Sequence, residues 1–142
     1  MGRAVVIVLG CVLGLGLLFY ENDSTSPGGA PAASEPGRAA GPEARRWLKG
    51  NESESALASN RFGPTDEALR FVNELYRAGA TRVVVPSDAI SDDGVERYAD
   101  ALVVELPSNP DKRSRVLAIC ERELRRQGLD PDDGDQVYLW WD

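Results

Sequence analysis

Histidine is absent from the 142 residues, which removes the commonest general base, the Ser–His and Cys–His nucleophile pairs and the histidine ligands of most zinc sites. Cysteine occurs twice, at Cys11 and Cys120, and only Cys120 lies in the polar part of the chain, so that part holds no internal disulfide. No G-x-S-x-G elbow, phosphate-cradling glycine loop or zinc-spaced cysteine cluster occurs. Positive charge is also scarce. From Glu52 onward 19 acidic residues face 11 basic ones, a net charge of −8 that repels a phosphate backbone, so no nucleic-acid partner and no cofactor are expected. Paired carboxylates are the remaining chemical resource, concentrated in SDDGVE (91–96) and DPDDGD (130–135). An EF-hand places an acidic ligand five residues before its glycine, and here those positions are Ala89 and Leu129, so both segments read as turns and no metal ligands are assigned.

What the chain has in abundance at its start is apolar surface. Ala4 to Tyr20 carries no charged side chain, and at about 1.5 Å per residue it would span roughly 25 Å as a helix, the short end for crossing a bilayer. The segment is apolar all round, unlike a core helix with a polar face, and reads as an uncleaved transmembrane signal anchor over residues 1–20. Val8-Leu9-Gly10-Cys11 resembles a bacterial lipoprotein box, but only six apolar residues precede Cys11 and nine follow it, which fits an anchor better than lipidation. Arg3 precedes the run, and no Lys or Arg follows until Arg38. The positive-inside rule then puts the amino terminus in the cytoplasm and the rest of the chain outside.

Residues 21–51 are rich in Pro, Gly, Ala and Ser and read as a linker, with a short helix at 42–49 started by Pro42 and closed by Gly50. Arg45, Arg46, Trp47 and Lys49 in that helix suit either lipid headgroups or, through Trp47 and Leu48, the folded domain. Residues 52–142 form one small acidic domain. A helix is expected over 66–78, with Thr65 capping it and Gly79 ending it. A second begins at Asn109-Pro110 and stops at Gly128, burying Val116, Leu117, Cys120 and Leu124; Cys120 is therefore a core residue and not a nucleophile.

Between these helices Asp93-Gly94 marks a two-residue type I′ turn, so residues whose numbers sum to 187 should face one another: Arg82 with Glu105, Val83 with Val104, Val84 with Val103, Val85 with Leu102. Pro86 demands an edge or a bulge. QVYLWW, 136–141, is the last strand. The order is helix, strand, strand, helix, strand, an α+β domain built from a hairpin plus a βαβ unit; in element order it resembles a ferredoxin-like fold without its first strand. Strand parity sends Val83, Val85, Leu102, Val104, Leu139 and Trp141 toward the helices. It leaves Val84, Val103, Tyr138 and Trp140 on the other face as a candidate interaction surface, unless residues 52–63 or the short helix cover it.

The sequence thus supports a non-catalytic, membrane-tethered interaction or structural module, held at the membrane by residues 4–20, with a protein partner or self-association through the aromatic face. The alternative is a small enzyme or metal-dependent binder using the acidic loops 88–100 and 130–135.

Overall fold

The structure is a computed structural model that describes residues 39–130 and 134–141. The anchor segment 4–20, Cys11 and the linker up to residue 38 lie outside the described residues. Among the described residues no helix is long and apolar enough to cross a membrane.

The elements are α1 (Ala44–Lys49), α2 (Ser59–Phe62), α3 (Thr65–Ala78), β1 (Arg82–Val84), β2 (Ile90–Asp92), β3 (Arg97–Ala99), β4 (Ala101–Glu105), α4 (Pro110–Arg126) and β5 (Gln136–Trp140), with a 3₁₀ turn at Ser87–Ala89. They make an α+β domain with two antiparallel sheets, β1-β4-β5 and the ribbon β2-β3.

The punctuation of the two long helices is largely as the sequence predicts. Asn109 caps α4 by accepting the Lys112 N–H at 3.0 Å, and Gly79 closes α3 in the left-handed region. Thr65 is not the cap of α3, a place taken by Pro64. Its hydroxyl instead accepts the Ala56 N–H and lies 2.8 Å from the Ser53 carbonyl, tying the preceding loop to the helix.

β1 and β4 pair in the expected register, Arg82 with Glu105, Val83 with Val104 and Val84 with Val103. The ladder stops there, so Val85 does not pair with Leu102. Pro86 cannot donate a hydrogen bond, and the 3₁₀ turn after it makes the first strand spend five residues, 85–89, where the second spends three before Ile90 meets Ala99. The tip, 93–96, is centred on Gly94-Val95 and not on Asp93-Gly94, with Asp93 N–H donating to the Glu96 carbonyl at 3.3 Å. The Asp93 carboxylate accepts the N–H groups of Val95 and Glu96 at 2.9 and 2.7 Å, which favours this placement.

β5 overturns the βαβ expectation. It lies beside β4 and antiparallel to it, from Ala101 opposite Trp140 to Glu105 opposite Gln136. The length of the connection allows this without requiring it. Nine residues, 127–135, reach at most about 30 Å, enough to return along an α4 about 25 Å long. The return is fixed at the start of α4, where Arg113 donates to the Gly134 carbonyl at 2.7 Å and Leu106 N–H to the Asp135 carbonyl at 2.8 Å. With β5 antiparallel to β4 and directly beside it, the hairpin-plus-βαβ arrangement, and with it the likeness to a ferredoxin-like fold, does not hold.

The core lies between one sheet face and the helices. Val83, Val85, Leu102, Val104, Leu139 and Trp141 are buried in it, as parity requires, against Phe71, Val72 and Leu75 of α3 and Val116, Cys120 and Leu124 of α4. Phe62, Phe71 and Trp141 stack edge to face or tilted, with centroids 5.1 to 6.2 Å apart.

Residues 40–49 belong to this folded unit. Trp47 and Leu48 of α1 are buried in the core, so Trp47 faces the domain and not lipid. Ahead of α1 the chain lies along the edge of β1: Val85 N–H donates to Pro42 and Ser87 N–H to Ala40, both at 3.0 Å. Glu43 completes the join. Its carboxylate accepts the N–H groups of Arg45 and Arg46 at the start of α1 and the Tyr76 hydroxyl at 2.6 Å, while Tyr76 accepts the Val83 N–H at 3.0 Å. One carboxylate thus links α1, α3 and β1.

Candidate functional site

The four residues of the expected surface share one sheet face but differ in exposure. Val84, Val103 and Tyr138 form one row across β1, β4 and β5, with Trp140 two residues further along β5. Val84 and Val103 are buried, whereas Tyr138 is 53 % and Trp140 43 % exposed. Ala39 and Ala40, joined to Pro86–Asp88 by the Ser87 N–H bond to Ala40, line a groove of about 480 Å³ together with Val103, Gln136 and Tyr138. The edge segment and the 3₁₀ turn, neither visible in strand parity, thus narrow the face to its β5 side. Partial burial raises the Tyr138 phenol pKa, helped by the carboxylates of Asp88 and Asp100. β5 is an edge strand of its sheet, and no described strand pairs with its outer side.

At the far end of β5 the chain builds a second concavity, about 490 Å³, between α2, the end of α4 and the tryptophans. Its base is an ion pair that sequence reasoning missed. Glu123 is fully buried, and Arg61 grips it with two bonds, Nε to Oε2 at 2.7 Å and Nη2 to Oε1 at 2.9 Å. Arg61 is delivered by α2, which residues 56–58 hold in place by exchanging 2.8 Å bonds with Ala99. Its guanidinium also stands 4.8 Å from the Phe62 ring centroid. Burial alone would raise the Glu123 pKa; the Arg61 hydrogen bonds and charge, aided by Arg126 and Arg122, outweigh it and hold the carboxyl below its usual range. The same bond raises the Arg61 pKa. A signal for Glu123 was present, since it sits three residues after Cys120 and seven after Val116 on the buried stripe. Nothing local marks Arg61, 62 residues away.

Arg126, Gln127, Leu129, Asn60, Trp140 and Trp141 complete the wall. Trp140 is shared with the exposed aromatic face, so the two features are neighbours. Two donors in the wall, Gln127 Nε2 and Trp141 Nε1, are buried without a hydrogen-bond partner. A carboxylate locked in an ion pair is a poor proton shuttle, while unmet donors, a guanidinium and indole faces suit the holding of a ligand.

Several carboxylates of the acidic loops are engaged by their own chain. Asp92 accepts the Gly94 N–H and pairs with Arg97 at 3.1 Å, and Asp93 serves the turn, its pKa lowered by the Glu96 and Val95 amides. In the second loop Asp135 pairs with Arg113 at 3.2 Å; residues 131–133 lie outside the described residues. Among the described residues no group of three or more acidic or cysteine side chains could hold a metal ion. Cys120 is buried in the core, and desolvation pushes its thiol up to about 12.

No protein-family model, curated protein or solved structure matches the chain.

Proposed function

We propose that the chain is a non-catalytic interaction or structural module, anchored in a membrane by Ala4 to Tyr20 and presenting residues 21–142 on the outer side of a bacterial-type cytoplasmic membrane. The observation that carries the interaction reading is the pair Tyr138 and Trp140, both about half exposed on one face of an edge strand. Large aromatics presented this way supply contact area at small entropic cost, and the strand's outer edge offers backbone donors and acceptors to an added strand. The anchor rests on the uncharged run, and the orientation on Arg3 ahead of it with acidic residues behind.

The test compares Trp140→Ser with Leu139→Ala in the full chain, in detergent, by sedimentation and thermal melting. Trp140→Ser is expected to weaken association, with itself or a cross-linked partner, at nearly unchanged Tm. Leu139→Ala is expected to cost about 2 to 5 kcal/mol of stability. Equal unfolding by both would make Trp140 a core residue and remove the surface. Protease added to intact spheroplasts should digest the domain; full protection would reverse the orientation.

A further inference from the structure

We infer that the pocket between the end of α4 and the two C-terminal tryptophans binds a small organic carboxylate with a flat apolar body, its acid group on Arg126 and Gln127 and its body against Trp140 and Leu129. This goes beyond the partner surface proposed for the β5 face, because its polar determinants lie on and just after α4.

Size comes first. About 490 Å³ falls within the range of small-molecule sites, roughly 300 to 1,000 Å³. Charge then selects the ligand. Both Glu123 oxygens are taken by Arg61, so that pair presents no net charge to a visitor. Arg126 has no ion-pair partner among the described residues, and it leaves the pocket with one surplus positive charge inside a strongly acidic domain. The hydrogen-bonding inventory agrees. Gln127 Nε2 and Trp141 Nε1 are donors buried without an acceptor, and Trp141 is 95 % buried, being only 5 % exposed. Both nitrogens are closed to solvent as the side chains stand, so an acceptor in the pocket reaches Gln127 only if its amide turns outward, and what such groups lack is an acceptor and not a donor. A cation would meet a guanidinium and two N–H groups, and a metal would find its one carboxylate already bonded.

The end of a helix normally repels an anion, and here that repulsion is blunted. Leu124 carbonyl accepts the Gln127 and Leu129 N–H groups at 2.9 and 3.0 Å, and Arg125 carbonyl accepts Gly128 N–H at 3.2 Å, so these carbonyls are capped. The apolar half of the ligand follows from Leu129 and Trp140, which line the same pocket while 50 % and 43 % exposed. A flat hydrocarbon or aromatic body laid between them removes that area from water.

The full chain in a nanodisc of zwitterionic lipid is titrated with 3-phenylpropionate, and in parallel with 3-phenylpropylamine, while the ¹⁵N indole resonances are followed. The carboxylate should shift Trp140 and Trp141 saturably and leave Trp47, on the other side of the core, as an unmoved reference. The amine should shift neither. Arg126→Gln, at an exposed position in the last turn of α4, should weaken the carboxylate about tenfold or more, the scale of one charge-assisted hydrogen bond. Leu129→Ser should weaken it through the apolar wall alone. Equal binding of amine and carboxylate, undiminished binding in either variant, or no indole shift at millimolar probe would overturn the assignment.

Discussion

Glu123 is a full charge in a fully buried position, and its tolerance depends chiefly on the Arg61 guanidinium, which itself reaches water, with Arg122 3.9 Å away. Removing the two partners should therefore be unequal. Arg61→Ala strands a buried carboxylate and is expected to cost about 3 to 5 kcal/mol, whereas Glu123→Gln leaves Arg61 free to turn outward and should cost less. A paired replacement, Arg61→Met with Glu123→Leu, should recover most of the loss, since a well-packed apolar pair of similar volume often matches a buried ion pair. Urea denaturation of the four proteins checks this ordering; Arg61→Ala no worse than Glu123→Gln would deny the ion pair its role. Cys120 gives a second residue-scale expectation. A hydroxyl placed in its apolar stripe lacks a partner, so Cys120→Ser should lower stability by about 1 to 3 kcal/mol, and native Cys120 should resist thiol reagents that label Cys120 at once in urea. Cys120 was legible from helical spacing because the stripe is local. The Arg61–Glu123 pair was half legible, since burial of Glu123 follows from the same spacing but the choice of Arg61 is made by tertiary structure alone.

Among the elements, the stretch from Ala40 to Glu43 shows how little a short extended segment announces itself. Its composition is that of a linker, yet it lies along β1 because Gly41 lets two backbones approach. A Cβ built on Gly41 would stand 2.0 Å from the Val85 carbonyl oxygen, and the φ of +156° adds backbone strain for any other residue. Gly41→Ala is therefore expected to release the segment from the β1 edge, seen as faster amide exchange at Val85 and Ser87 and a lower Tm, while a Gly63→Ala control, with nothing within 4 Å of its Cβ, should leave those two amides protected. The β1–β4 register was legible because a one-residue slip would have turned every valine to the wrong face and separated Arg82 from Glu105. Its end at Val84 was not, because Pro86 says that a ladder must break but not by how many residues. The direction of β5 was hidden for a similar reason: a nine-residue connection permits either sense, and the bonds that choose one, from Arg113 and Leu106, join residues more than 20 positions apart.

For the molecule as a whole, four groups that join or lie within the packed elements, Glu43, Glu123, Tyr76 and Cys120, shape the pH range over which the domain holds together, with Asp93 adding to the acid side and Tyr138 to the alkaline side. In acid the relevant pair is Glu43 and Glu123. Burial raises each, but Tyr76 and the Arg46 and Arg45 amides at Glu43, and Arg61 at Glu123, prevail and hold both below the ordinary 4.5. The unfolded chain then takes up protons first as pH falls, so this stability is present above about 4.5 and is lost as pH drops through the lower folded values. In alkali the signs reverse. Burial, with the Glu43 hydrogen bond, pushes Tyr76 from 10.0 up to about 12, and burial pushes Cys120 from 9.0 up to about 12. The unfolded chain loses these protons first, so the contribution is intact below about 9 and disappears between 9 and 12. Stability measured by urea denaturation should accordingly form a plateau between roughly pH 5 and 9 with a falling limb on each side. The limbs are coupled through the Glu43–Tyr76 hydrogen bond. Glu43→Gln should lower the plateau and flatten the acid limb, leaving Glu123 to titrate, and should also weaken the alkaline limb, because Tyr76 loses the carboxylate that helps raise it. Tyr76→Phe should flatten the alkaline limb, leaving the part due to Cys120, and should also shorten the acid limb, because Glu43 loses its hydroxyl donor. An acid limb unchanged in Glu43→Gln would mean that the join between the edge segment and the domain does not depend on that carboxylate, and that residues 40–49 are held by Trp47, Leu48 and the backbone pairing to β1 alone.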